Sequence, residues 1–393
     1  MQSVGFINLP SWQAELQKIL TRFGREDLLR IPVFGRENVE NPWVAFESGD
    51  FFAAIGTGIH FEGAAASDRL PEKVVTADAE LAITRLLSDS SQNTFFSAAT
   101  GGAFAFLRTI SAEYAVGVPD KLMVQNDSIA GYITGQMETT GKTLEEATHA
   151  AQWENIASGN PSKNLHGIVT RNRLILQIAS VFGVIIKPEA LRTLGINALS
   201  SEDVTIAREL GCSIRLLGLA QLETGRLRAI VEPCVIPSGY FLAQARAGSE
   251  IIYLQTTTGN AHVYSGPGTS YETQVRAILS DLEPCAAQRS QISVYNDNIE
   301  DFSDSFYLRF TMINMNDTLA QILQLFNRAG VDIEKIHQPS ILVSHETPGA
   351  GRQNLVIITN RTQRSIIESI MLQIGEQIKL ANVRACFRFL QRS

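Results

Sequence analysis

Few of the side chains able to do chemistry in this 393-residue chain are spaced for it. The four cysteines, Cys212, Cys234, Cys285 and Cys386, include no C-x-x-C pair. None lies at metal-ligand spacing from one of the six scattered histidines, so buried, reduced thiols and no metal site are expected. Gly56-Thr57-Gly58 opens like a phosphate-binding loop, but Phe61 and Glu62 stand where a third glycine belongs. Arg173 falls inside an apolar helical pattern, Val169 to Phe182. A guanidinium is permanently charged, so it can clamp a carboxylate or phosphate in two-pronged fashion but is a poor proton shuttle. The alternative reading of Arg173 is a partly buried helix cation paired with a local carboxylate. Lys163 and Asn164 read on their own as loop residues, His166 and His60 as ordinary surface or core histidines, and Tyr132 as a packing residue of its helix.

The elements that would position these groups follow from periodicity. Val4 to Ile7 is an apolar strand and Trp12 to Phe23 an amphipathic helix, a β-turn-α opening common in nucleotide-binding domains. Further strands are expected at Phe51 to Ile55, Lys73 to Thr76 and Phe95 to Ala99, with a helix over about 77–88. From about residue 126 helices dominate: Ile129 to Thr139, one opened by a Thr143/Glu146 capping box, Val169 to Phe182 ended by Gly183, and one from Ser200, with Asp203 at its third position, to Gly211. Residues 212–265 switch to strand periodicity. Gly266-Pro267-Gly268 turns into a helix over Tyr271 to Leu282, and 286–304 is polar and linker-like. The tail alternates strand, helix, strand, strand, helix, strand, the ferredoxin-like βαββαβ order.

Composition bounds the class. Apolar residues are 45% and charged residues 19%, with a net charge of -7 and no long basic run, so a soluble globular chain without a nucleic-acid partner is expected. No apolar run reaches membrane-spanning length, and the first residues lack a leader pattern. A cytoplasmic location is the expectation.

Collinear stretches carry a family resemblance. KVVTADAEL, FFSAATGGAFA, NDSIAGYI, GKTLEEATHAAQ, ASGNPSKNLHGIVTRNRLILQIASVFG, VEPCVIP and YSGPGTSYETQVRAILSDL follow the order of the motifs of homoserine dehydrogenases. The tail from Phe306 resembles the ACT domain of the long family members. The resemblance implies an α/β protein in three parts. Residues 1–110 would be a shortened, degenerate Rossmann-like domain, and 111–285 an α+β catalytic-type and dimerisation domain with a mixed sheet. A linker at 286–304 and an ACT-like domain at 305–393 would follow.

It also implies NAD(P)-dependent oxidation of homoserine to aspartate semialdehyde, in a homodimer or in a heteromer with an active homoserine dehydrogenase, with a small amino acid as a further ligand. Carried over residue by residue, the family's chemistry is altered. The glycine positions of the cofactor loop hold Asn8, Pro10 and Gln13, whose side chains occupy phosphate space while Pro10 removes an N–H. The two family lysines correspond to Ala79 and Arg173, and the loop aspartates to Asn164 and Val169. The substrate-pocket positions fall on Ser158 and Asn160, with Tyr132 on the helix nearby, and Ser97 replaces the glutamate near the family's metal-ion site. Asn314-Met-Asn-Asp317 stands where amino-acid-binding ACT domains carry D-x-x-G, placing a carboxylate at the glycine. The expectation is an impaired enzyme, without cofactor, acting as a binding or partner subunit. An active oxidoreductase using NAD(P) and an altered site is the alternative.

Overall fold

The structure is a computed structural model that describes residues 3–7, 21–22, 33–34, 51–55, 73–88, 94–102, 117–157, 159–245, 248–268, 270–282, 292–313, 315–339 and 353–391. The positions Asn8, Pro10, Gln13, Ser158, Cys285 and Asn314, and the Gly56–Gly58 stretch, lie outside the described residues.

Five strands open the chain: β1 (Ser3–Ile7), β2 (Val33–Phe34), β3 (Phe51–Ile55), β4 (Lys73–Thr76) and β5 (Thr94–Phe95). They form one sheet in the order β2-β1-β3-β4-β5, every pair parallel. Parallel neighbours need crossover connections. The one joining β4 to β5 is helix α1 (Ala79–Leu87), capped by Asp78, whose carboxylate accepts from Glu80 N and Leu81 N. Strand structure was expected to run to Ala99. It ends at Phe95, and Ser97–Ala99 form a 3₁₀ turn whose Ser97 is held by Asp281, so the backbone leaves the sheet.

The centre is an antiparallel sheet carrying helices. Strands β6 (Pro119–Gln125), β8 (Cys212–Glu223), β9 (Arg226–Pro237), β10 (Ser249–Thr256) and β11 (Ala261–Pro267) pair in the order β11-β10-β6-β8-β9. Helices α2 (Ser128–Thr140), α3 (Leu144–Trp153), the short α4 (Ser162–Leu165), α5 (Ile168–Phe182) and α6 (Ser201–Glu209) come between β6 and β8. Both expected capping boxes form, Thr143 with Glu146 and Ser200 with Asp203. Helix α5 lies directly on the sheet because Gly218 has no side chain: a Cβ there would meet Val124 at 2.9 Å and Leu174 at 3.1 Å. Leu174, Ile175 and Ile178 of α5 join Leu122, Val124, Leu216 and Val231 of the sheet in one buried core. Helix α7 (Tyr271–Leu282) follows the Gly266-Pro267-Gly268 turn, as its sequence indicates.

Of the polar stretch read as a linker, residues 292–302 are packed. Strand β12 (Ser293–Val294) pairs with β7 (Val184–Ile185), and the Tyr295 hydroxyl accepts from Leu227 N at 3.0 Å. The tail then forms β13 (Ser303–Met312), α8 (Met315–Arg328), β14 (Ile333–His337), β15 (Gln353–Thr359), α9 (Arg364–Gln377) and β17 (Ala381–Phe389), with a two-residue strand β16 (Thr362–Gln363) beside β13. Its sheet order, β17-β13-β15-β14, is that of a βαββαβ unit.

Both faces of this last sheet are buried. Phe306, Leu308 and Phe310 face a core with Ile322, Phe326, Ile367 and Ile370 of α8 and α9, whereas Tyr307 joins the central core. Strand β17 pairs in parallel with β9, making one continuous sheet. Charge reinforces the seam. Glu232 of β9, 1% exposed, is gripped by Arg364 and Arg388, and Arg388 also reaches Asp304 at 2.5 Å and Asp301 at 2.7 Å. Arg309 reaches Asp203 of α6 at 2.6 Å and Glu202 at 2.7 Å. Buried ion pairs of this kind hold orientation more than they add net stability, since desolvation offsets most of the attraction.

Candidate functional site

Helix α5 begins after Gly167 (φ 74°) and ends at Gly183 (φ 70°), both left-handed, which fixes where its polar face points. Arg173 sits on that face. Its Nη1 donates to the main-chain carbonyl of Asn126 and pairs with Glu250 Oε1 at 3.1 Å. The Glu250 side chain is wholly buried, and that of Arg173 is 14% exposed. Arg173 is thus paired with a carboxylate supplied by β10.

Beside it lies the junction of β6 and α2. Asp127 caps α2, accepting from Ile129 N and Ala130 N at 3.1 Å. The Asn164 amide, on α4, donates to Asp127 Oδ1 at 3.0 Å and to Oδ2 at 3.1 Å. With Asp127 3% exposed, this is a nearly dry carboxylate held by three N–H groups. Asn126 donates to Gln177 Oε1 at 3.0 Å, and Gln177 donates to the Thr100 carbonyl at 2.8 Å. The network thus runs to the Gly101-Gly102 turn. There a Cβ on Gly102 would lie 2.5 Å from Gly268 O, and one on Gly268 would lie 2.4 Å from Ser128 Cβ. The backbone approach needs glycine at both positions.

The remaining positions take up local roles. Asn160 is exposed, and its side-chain oxygen accepts from Ser162 N at 2.9 Å, closing the turn before α4. Tyr132 is buried in α2, where burial and the neighbouring Glu154 carboxylate push its hydroxyl up to about 12. Lys163 reaches Glu80 at 2.7 Å, next to Ala79 on α1, with both side chains more than half exposed. His166 is exposed and hydrogen-bonds within its own turn, to Ser162. Among the described residues no cluster of three or more His, Cys, Asp or Glu could hold a metal ion. No helix among them is long and apolar enough to cross a membrane.

Arg173 and Asn164 are brought to one seam, on either side of the Asn126–Asp127 junction. The partners Asp127, Glu250, Asn126 and Gln177 went unnoticed in the sequence. Asp127 alone had a local signal, as a helix-capping residue at the start of an apolar helical pattern.

Comparison with known proteins places this seam in context. Residues 126–282, which include Asp127, Asn164, Arg173 and Glu250, match the family model described as homoserine dehydrogenase. Over these residues the chain is similar to the homoserine dehydrogenases. It is 22% identical to homoserine dehydrogenase of Bacillus subtilis over 338 residues, covering 81% of this chain and 77% of that one. With the Pseudomonas aeruginosa homoserine dehydrogenase the identity is 24%, over 64% of each chain. The fold matches a solved homoserine dehydrogenase from Thiobacillus denitrificans with TM-score 0.84 at 20% identity, over 99% of this chain and 98% of that one. The Staphylococcus aureus enzyme at pH 7.5 matches with TM-score 0.71 at 16% identity, over 100% of this chain and 99% of that one.

Homoserine dehydrogenases typically use NAD(P). The cofactor-loop positions that the resemblance assigns, Asn8, Pro10 and Gln13, lie outside the described residues. The cation at the seam, Arg173, is committed to Glu250 and Asn126.

Proposed function

We propose that this chain is a non-catalytic homoserine dehydrogenase homologue that serves as a binding or regulatory subunit in aspartate-family amino-acid metabolism. The observation that carries the reading is the ion pair of Arg173 with the buried Glu250. Proton transfer to or from an alcohol oxygen asks for a group with a tunable pKa, and arginine lacks one. Here its charge is also matched within the protein. Losing one acid–base group costs about 10²–10⁴-fold in rate, and Ala79, Asn164 and Ser158 change at the same time as Arg173.

The frame of the family is kept where the chemistry is not. In this reading residues 1–110 are a degenerate, shortened Rossmann-like domain, 111–285 the catalytic-type domain, and 305–393 an ACT-like unit. The unbroken β9–β17 pairing and the Glu232–Arg388 contact favour an ACT-like unit that is a fixed part of the scaffold. Its partners are a second copy of the chain, or an active homoserine dehydrogenase of the same cell docking on the shared frame.

Two measurements test this. Purified protein supplied with homoserine and NAD or NADP yields no reduced cofactor; turnover at even a thousandth of an ordinary family rate rejects the reading. Tagged protein isolated from its own cells brings down the active enzyme; recovery of a lone homodimer counts against the partner role.

A further inference from the structure

Helix α3 turns Ala147 and Ala151 into the protein. Its outer side, with Lys142 before it and Glu154 after it, borders an open groove of about 640 Å³ lined also by Glu146, His149, Gln152 and Trp153. Trp153 is 88% exposed, the most of any large apolar side chain among the described residues. An indole face left in water is available to a cation, which the ring quadrupole attracts.

The charges at this end of the groove select a cation as well. The C-terminus of a helix carries partial negative charge, which a basic residue in the last turn offsets. Helix α3 has no basic residue there, and its C-cap is Glu154, which adds a carboxylate. Among the described residues no Lys or Arg pairs with Glu154. Lys142, the ammonium on the groove, stands before the opposite end of α3. Next to Glu154 is the Tyr132 hydroxyl, close enough for the carboxylate to raise its pKa. That side chain is 4% exposed, yet its oxygen makes no hydrogen bond of normal geometry. A buried orphan donor beside an unpaired carboxylate marks a set of hydrogen bonds left unfinished in the isolated chain.

The atoms offered to a newcomer are acceptors. Gln152 commits its amide N–H to Gly159 O at 2.8 Å, so its oxygen is the end it can offer. Glu154 adds two carboxylate oxygens, and Trp153 a ring face. A guanidinium answers all three, with five donors, no acceptor and a flat face that stacks on indole. We propose that this end of the α3 groove receives a guanidinium group, the side chain of an arginine on the surface of a partner protein. The charge is complementary, and the groove is open, as protein contacts are, rather than enclosed like a small-molecule site. Arginine and tryptophan are also the residues that most often dominate binding at protein interfaces. The inference deepens the partner-subunit reading and rests on it for the source of the arginine; the site itself does not depend on whether the Arg173 seam is catalytic.

The full-length protein, labelled with 5-fluorotryptophan, is titrated at low salt and followed by fluorine NMR. Trp153→Phe assigns the Trp153 line among the three tryptophans. The probes are the capped peptide acetyl-Ala-Arg-Ala-amide, its citrulline and lysine counterparts, and N-ethylguanidinium. The arginine peptide is expected to shift the Trp153 line saturably. The citrulline peptide, similar in shape but neutral, is expected to bind about tenfold more weakly, and the lysine peptide, which lacks a stacking face, about threefold more weakly. Glu154→Gln is expected to weaken the arginine peptide by up to about fivefold, as befits an exposed pair. Glu145→Gln makes the same charge change on α3 away from the groove lining and is expected to leave binding unchanged, with the circular dichroism spectrum of both variants parental. No saturable shift, equal binding of either counterpart peptide, or equal weakening by the two substitutions overturns the site. Tighter binding of N-ethylguanidinium than of the arginine peptide overturns its source in a protein. Homoserine turnover by a chain that binds the peptide rejects the non-catalytic reading and leaves the site standing; no turnover and no peptide binding does the reverse.

Discussion

Arg173 and Glu250 form an ion pair of 3.1 Å between helix α5 and strand β10, with the glutamate side chain fully buried. The pair converts a position that the family resemblance assigns to chemistry into one that holds a helix against a sheet. Removing one partner strands a buried charge. Glu250→Ala is expected to lower the unfolding free energy by about 3 kcal/mol, read from urea denaturation. A double replacement by leucine at 173 and methionine at 250 is expected to recover most of the loss, because well-packed apolar pairs can substitute for buried ions. A single variant as stable as the parent shows that the pair holds nothing.

Restoring the family's acid at 164 is expected to harm the protein. Asn164→Asp sets a second carboxylate about 3 Å from Asp127, which is 3% exposed. Repulsion raises the folded-state pKa of the pair above its unfolded value. The variant is then close to parental stability at low pH and loses about 1–2 kcal/mol as the pH rises through the carboxylate range. Adding Asp127→Asn exchanges the two groups and is expected to abolish that loss. Equal stability of Asn164→Asp and parent at pH 7 contradicts the placement of the two side chains.

Gly195→Ala is expected to destabilise the protein by about 1–3 kcal/mol through overpacking against Leu165 and His166. Thermal melting measures this, and an alanine tolerated without loss means that Gly195 and α4 are not in contact.

Alkaline pH is expected to weaken the fold. Burial pushes the Cys234 thiol and the Tyr307 hydroxyl well above their ordinary values of 9.0 and 10.0. Above pH 9 the unfolded chain releases these protons while the native chain keeps them, so unfolding becomes easier as pH rises. Neutral solution shows no effect from either group. Denaturant midpoints between pH 7 and 11, with thiol alkylation at Cys234 as a site-specific readout, check the direction. A Cys234 that alkylates in the native protein at pH 8 contradicts it.

What the sequence disclosed followed from locality. The Thr143 and Ser200 capping boxes, the glycine stop at Gly183 and the strand that starts at Cys212 each involve neighbours in the chain, and each is present. Strand β6 escaped because its Leu122-Met-Val run follows Pro119 and Asp120, which weaken the strand pattern. The partner of Arg173 escaped because Glu250 lies 77 residues away, and no periodicity marks a partner on another strand. The stretch 292–302 looked like a linker because it is polar, yet Tyr295 and Glu300 dock on Leu227 of strand β9.

The proposal that this scaffold does not handle a dinucleotide is tested most directly by cofactor fluorescence. NADPH and NADH are titrated into the purified chain to millimolar concentration, with and without homoserine, while fluorescence emission is followed. The account predicts no saturable change in any of the four titrations. A saturable signal, enhanced by homoserine, contradicts it and returns the chain to the working enzymes of its family.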